Sequence, residues 1–155
     1  MQESIWADGC PQNVDEKMKL TVQDLMLMGI DFFIKKYAIP NGFKIEQTNA
    51  KLSLLPNVIM KKDGLVYGIA IVPFVYPKYG MLTDGARISM VKTLKEQNVI
   101  PLFAPIGFIS TDKDRAKAEM ALKGDLFNIM FRGFIELNDS EHQNLAGDIR
   151  LFKML

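Results

Sequence analysis

The chain has 155 residues, 48% of them hydrophobic and 24% charged, enough for one domain with a packed core and too few for two comfortable ones. A net charge of +1 gives no overall pull toward nucleic acid, and a single cysteine, Cys10, excludes an intramolecular disulfide and argues against a cysteine-built zinc site. No apolar run reaches the roughly 18 residues that span a bilayer, and the acidic start lacks a hydrophobic signal core. The expectation is a cytoplasmic protein with no membrane partner.

The charge is unevenly spread. Residues 1–34 hold two lysines against six acids, residues 35–78 hold seven lysines against Glu46 and Asp63, and the remainder carries ten of each sign. Such a positive middle can meet phosphates, although spread lysines more commonly make a solvated face.

Residues 1–17 show no periodicity and read as a poorly ordered lead-in, with residues 18–155 as a single α/β domain. TVQDLMLMGIDFFIKKYA, from Thr21, is apolar almost all round, with Thr21 placed to cap a helix and Asp24 three residues on. Its polar side is a narrow stripe of Asp24, Asp31 and Lys35, so the helix should be nearly engulfed by the domain. Pro40, Asn41 and Gly42 stop it. FKIEQTN then reads as a strand and NVIMK as a second. KDG is a hairpin turn and LVYGIAIVPFV a third strand, apolar on both faces and therefore central. Thr83 or Asp84 opens a helix through Gln97, with Ile88, Val91 and Leu94 as its buried stripe. VIPLFAPIGFIS is a further strand in which Pro101 and Pro105 imply bends or an edge. TDKDRAKAEMALKG reads as a short extra helix, and LFNIMFRGFIEL as one last long strand. SEHQNLAGDIRLFKML is ambiguous.

Chemical constellations are sparse. The lone histidine, His142, lies in a polar segment without a G-x-S-x-G elbow, and Cys10 has no activating neighbours. Gly-rich phosphate loops are absent. Phe74, Tyr76 and Tyr79 near Lys78 could stack bases and contact phosphates, or simply close the end of the sheet. Met18, Met26 and Met28 around the first helix suit either core or a partner interface. A last strand lying at an edge would permit a homodimer by strand pairing.

The element order, α-β-β-β-α-β with an extra C-terminal helix and strand, resembles the PD-(D/E)XK nuclease superfamily and its Holliday-junction-resolvase-like members over roughly residues 21–110. Phe43-Lys-Ile-Glu-Gln-Thr48 is similar to the first strand, Leu55-Pro56-Asn57-Val-Ile-Met60 to the start of the second, and Tyr67-Gly-Ile-Ala70-Ile-Val72 to the third. The resemblance implies an αβββαβ core with a central mixed sheet flanked by helices. It also implies two carboxylates holding Mg²⁺ and a lysine on the same strand face. Those positions here are Asn57, Ala70 and Val72, none of which supplies that chemistry. The expectation is a degenerate site with no metal and no cofactor, in a non-catalytic module that binds nucleic acid or protein. A nucleic-acid surface would use Lys61, Lys62, Lys78 and Tyr79. The alternative is a Mg-dependent endonuclease with migrated residues, drawn from Glu46, Asp63, Lys61, Lys62 and Lys92 with Asp24 or Asp31 contributing. A small-molecule-binding or structural domain is the third class.

Overall fold

Thr21 starts the first helix as its side chain requires. Its hydroxyl oxygen accepts from the Asp24 N–H at 3.0 Å, and the Asp24 carboxylate accepts from the Thr21 N–H at 2.8 Å, a reciprocal capping box. These details come from a computed structural model that describes residues 19–51, 54–75, 81–111, 122–123, 127–131, 133–141 and 143. The helix, α1, runs Val22–Phe32 and buries Leu25, Met26, Gly29 and Ile30. Val22 and Leu27 remain 57% and 53% exposed, so the helix is less enclosed than its composition suggests. Beyond Phe32 the winding changes: Phe33–Ala38 is π-helical, and the Ile39 N–H reaches five residues back to the Ile34 carbonyl at 3.0 Å. The wider turn brings Phe33 and Tyr37, four apart, into a stack at 5.5 Å. Both rings then meet Phe131 and Phe134 edge-on, which keeps this end of the helix locked to the core.

Among the described residues six strands follow, in one mixed sheet: β1 Lys44–Thr48, β2 Val58–Lys62, β3 Leu65–Val75, β4 Ile100–Ser110, β5 Phe127–Met130 and β6 Ile135–Glu136. The order is β1-β2-β3-β4-β5, with β6 also paired to β4. β1, β2 and β3 form an antiparallel meander, β3 and β4 are parallel, and β5 and β6 run antiparallel to β4. The β2–β3 turn puts Asp63 at φ +52° and Gly64 at φ +78°, a pair of left-handed residues that matches the twist of a two-residue hairpin. The parallel step needs a crossover, supplied by α2, Asp84–Glu96, which Thr83 caps by accepting from the Ala86 N–H at 3.2 Å.

Alternation along β3 divides two cores. Tyr67, Ile69 and Ile71 face α1 and join Leu102, Ala104, Ile106 and Phe108 of β4. Ala70 and Phe103 face α2 and pack with Met90, Val91 and Leu94, while Val72 fits against the same cluster. Burying each large aliphatic or aromatic side chain contributes about 1.5–3 kcal/mol, so a central strand covered on both faces is the strongest single stabiliser of the sheet. The α/β architecture and the central position of β3 agree with the sequence reading.

Three local expectations are corrected. β4 is central, not an edge, despite Pro101 and Pro105. The Leu137 N–H bonds the Pro101 carbonyl at 2.9 Å, so residues of that parity turn their polar groups away from β3 and toward β5 and β6. The missing donor of Pro105 falls where neither short strand reaches. The last strand is not continuous: β5 and β6 take successive stretches of the same edge of β4, separated by a segment that includes Gly133 at φ +100°. The buried stripe of α2 is Arg87, Met90, Val91 and Leu94, with Ile88 only half-buried. The expected lead-in (residues 1–17), most of the expected extra helix, and Met18, Cys10, Tyr76, Lys78, Tyr79 and His142 lie outside the described residues.

Candidate functional site

Pro56 ends the loop that enters β2, and the first residue after it is Asn57. This residue is fully buried and closes the top of the sheet through both its backbone and its side chain. Its N–H donates to the Ile69 carbonyl at 2.8 Å, and its carbonyl accepts from the Asn49 N–H at 2.7 Å. Its Oδ1 accepts from the Ile71 N–H at 2.8 Å, while Nδ2 donates to the Asn49 carbonyl at 3.1 Å. The side chain thus extends the ladder by one rung on each side, bridging β1 and β3 where the β2 main chain has turned away. That task needs an acceptor and a donor on one short side chain, which the amide provides and an ionised carboxylate does not.

Ala70 is fully buried beneath α2, and Val72 is half-buried beside it. The residues considered as migrated acids and lysines do not converge on them. Glu46 sits at the bulge of edge strand β1, sharing its carboxylate between Lys44 at 3.9 Å and Lys61 at 3.8 Å. Asp63 occupies the hairpin turn at the far end of β2 from Asn57. Lys62 lies over the Phe43 ring at 4.9 Å from its centroid. Lys92 is exposed on α2. Asp31 pairs with Lys35 at 2.8 Å. Asp24 is used by its cap, and the Thr21 N–H it accepts, followed by the Thr21 hydroxyl contact, holds its carboxyl below the ordinary aspartate value. Among the described residues no group of three or more histidine, cysteine, aspartate or glutamate side chains could hold a metal ion.

What does gather around Asn57 and Val72 is a groove beside α2. Three hollows of about 230, 270 and 300 Å³ share Leu55 as a wall. One reaches from Val72 and Pro73 to Val22 and Met26 at the start of α1, and Ala86 carries it into the second, under Met90 and Thr93. Leu54 and Leu94 lead on to the third, which ends over Asn57, Ile59 and Gln97. Among the described residues, none that lines the three carries a charge, on a chain in which charged residues make up 24%. Val22, Leu54 and Met81 stand at its walls 57%, 51% and 44% exposed. The hollows fall at or below the roughly 300–1,000 Å³ of small-molecule sites, and so suit individual side chains of a larger partner.

One charged residue escaped the sequence reading. Arg87 is fully buried; its Nη1 donates to the Asn138 carbonyl, and its Nη2 donates to the Ser140 carbonyl at 2.7 Å and the Asp84 carboxylate at 3.2 Å. Its Nε has no hydrogen-bond partner among the described residues. The guanidinium fastens the segment after β6 to the first turn of α2. Its one available signal was its place at i−3, i−4 and i−7 from Met90, Val91 and Leu94 on the buried stripe.

A family described as a domain of unknown function, DUF8840, matches residues 23–137. The chain belongs to that family. The DUF8840 match runs from the first turn of α1 to the residue after β6, and so takes in Asn57, Arg87 and all the described groove residues but Val22. No curated protein and no solved structure matches the chain significantly.

Proposed function

We propose that the chain is a PD-(D/E)XK-like domain without nuclease chemistry, acting as a protein-interaction module through the uncharged groove along α2. The observation that carries this reading is the chemistry around positions 57, 70 and 72. Asn57 has both amide groups committed to the backbone of its neighbours, Ala70 and Val72 lie against the core beneath α2, and the described residues lining the hollows beside them carry no charge. A hard divalent cation needs anionic oxygens, and a phosphodiester needs cations; the described lining, apolar side chains with a few neutral amides and hydroxyls, offers neither. It offers apolar area and neutral hydrogen-bonding groups, the surface a protein partner uses.

The lysines support the same preference over nucleic acid. Lys44 and Lys61 share Glu46, Lys35 has Asp31, and Lys62 projects on the opposite face of β2 from Lys61. Lys51 follows the other end of β1. They do not form one stripe.

The test has two arms. The purified chain is incubated with Mg²⁺ or Mn²⁺ and with plasmid, linear and four-way-junction DNA, and its binding to labelled single- and double-stranded oligonucleotides is followed at low and moderate salt. The expected result is no cleavage and no salt-sensitive binding. Cleavage abolished by Glu46→Gln or Lys62→Ala would establish the migrated nuclease instead. Low-salt binding lost on Lys61→Ala and Lys62→Ala would establish a nucleic-acid module.

A further inference from the structure

We propose that Asn41 is a self-modification site: its side chain deamidates through attack by the Gly42 nitrogen, and the turn that ends the first helix holds the pair unreactive until it opens. Among the asparagines of the chain, only Asn41 is followed by glycine. With no Cβ beside it, a glycine nitrogen is the least obstructed of backbone nucleophiles. The Gly42 nitrogen passes its proton to solvent and bonds to the Asn41 Cγ. The Cγ–Nδ2 bond breaks, Nδ2 takes up a proton and leaves as ammonia, and a cyclic succinimide remains. Water then adds to either carbonyl of the ring. One opening gives aspartate; the other gives isoaspartate, with the main chain rerouted through the former side chain.

Both reacting groups are tied down in the closed turn. The Gly42 N–H donates to the Ile39 carbonyl at 3.0 Å, and the Phe43 N–H donates to the Ala38 carbonyl at 3.0 Å. These are the two bonds of a Schellman cap, with Gly42 at φ +85° in the left-handed position the motif requires. The Asn41 Nδ2 donates to the Tyr37 carbonyl at 2.8 Å, and the Asn41 N–H reaches the same carbonyl at 3.1 Å. The nucleophile therefore keeps its proton in a hydrogen bond, and the amide it would attack is anchored on the helix end. Side chains brace the turn from outside. Tyr37 and Phe43 stack at 6.3 Å, the Lys62 Nζ lies 4.9 Å from the Phe43 centroid, and the Lys62 Cε would stand 3.8 Å from a Cβ at Gly42. Yet the site is not sealed: Gly42 is exposed and Asn41 half-buried, so water reaches the pair whenever the cap bonds open. Conversion then favours the open form. Aspartate at position 41 lacks the Nδ2 donor and sets a negative charge at a helix C-terminus. Isoaspartate lengthens the main chain inside the hydrogen-bonded ring and breaks the cap outright.

The full chain is incubated at mildly alkaline pH in native buffer, beside a synthetic peptide of residues 37–44 in the same buffer. Peptide mapping by mass spectrometry follows the loss of Asn41, and enzymatic methylation of isoaspartate identifies the product. The peptide is expected to convert, and the full chain to convert at least about tenfold more slowly, as for a site reached only through local opening. Phe43→Ala keeps the Asn41-Gly42 pair but removes the ring that braces it, and should bring the rate toward that of the peptide. Circular dichroism reports folding. Should Phe43→Ala not fold, Lys62→Ala, which uncovers the turn from the surface, is read in its place. A full chain that converts as fast as the peptide overturns the inference, and so does a slow rate that the folded variant leaves unchanged.

Discussion

Restoring an acid at position 57 tests the account of Asn57 directly. In Asn57→Asp one carboxylate oxygen can still accept from the Ile71 N–H, now 2.8 Å from Oδ1. The other replaces Nδ2 and lies 3.1 Å from the Asn49 carbonyl oxygen, two acceptors with no proton between them. The Asn49 carbonyl loses a donor, and an unmet buried partner costs about 1–3 kcal/mol. The new charge is fully buried, and the described neighbours of position 57 include no cation, which adds a further penalty that the group relieves by binding a proton. We expect a loss of about 2–4 kcal/mol at neutral pH, or roughly 5–15 °C in Tm for a chain of this size. The sign with pH follows from a native pKa raised above the unfolded one. Below about pH 4 both states hold the proton and the carboxyl O–H can donate to Asn49, so the penalty is smallest. It grows as pH rises and levels off once the raised native pKa is passed. Urea titrations of wild type and variant at pH 4 and pH 7 measure this. A variant as stable as wild type at pH 7, or a penalty independent of pH, would refute the bridging role and reopen position 57 as a site for an ionised ligand.

Other consequences are as specific. Arg87→Met leaves the Asn138 and Ser140 carbonyls without their donor, and should cost about 2–4 kcal/mol. Hydrogen exchange in residues 137–141 should rise sharply, and Arg87→Lys should rescue little because an ammonium cannot span both carbonyls and Asp84. Gly68→Ala would place a Cβ 2.7 Å from Leu94 Cδ1, 3.2 Å from Pro56 Cγ and 3.3 Å from Val99 Cγ1; a loss of about 1–3 kcal/mol in chemical denaturation is expected. The Asp24 carboxyl is held below its ordinary value by the Thr21 cap, so its support of α1 is present at and above the usual aspartate range and is lost as pH falls through the lowered native pKa. Amide protection across the first turn of α1 should decline there in wild type and be low at all pH values in Thr21→Ala.

Much of the fold was legible because its signals are local. Thr21 and Asp24 specify a cap, Asp63-Gly64 a turn, and the doubly apolar Leu65–Val75 a strand with helices on both faces. The misjudged elements all depend on distant neighbours. Nothing within VIPLFAPIGFIS reveals that Pro105 falls opposite the gap between β5 and β6, since that depends on two segments more than twenty residues away. The π-helical turn depends on Phe131 and Phe134 for its edge-on ring partners. For the site, the absence of a carboxylate at Asn57, Ala70 and Val72 could be read directly. The use made of Asn57 could not, because its partners Asn49 and Ile71 come from different strands. Arg87 illustrates the same limit: an arginine on a helix reads as exposed until the carbonyls of Asn138 and Ser140 are brought to it.

The pairing of β3 with β4 bears on how the chain assembles. From Tyr67↔Ile100 to Val75↔Phe108 the partners keep one constant offset, 100 − 67 = 108 − 75 = 33 residues, without a slip. The β1–β2–β3 meander can gather through contacts close in sequence, whereas β4 must close a longer loop before any of its rungs forms, which is slow on entropic grounds. On the meander alone, before the helices and β4 pack on, Ile69 and Ile71 on one side and Ala70 on the other lie open to solvent together. β4 contributes to both cores, Leu102, Ala104 and Ile106 to one and Phe103 to the other, so Phe103→Ala should speed unfolding far more than it slows the early collapse of the meander.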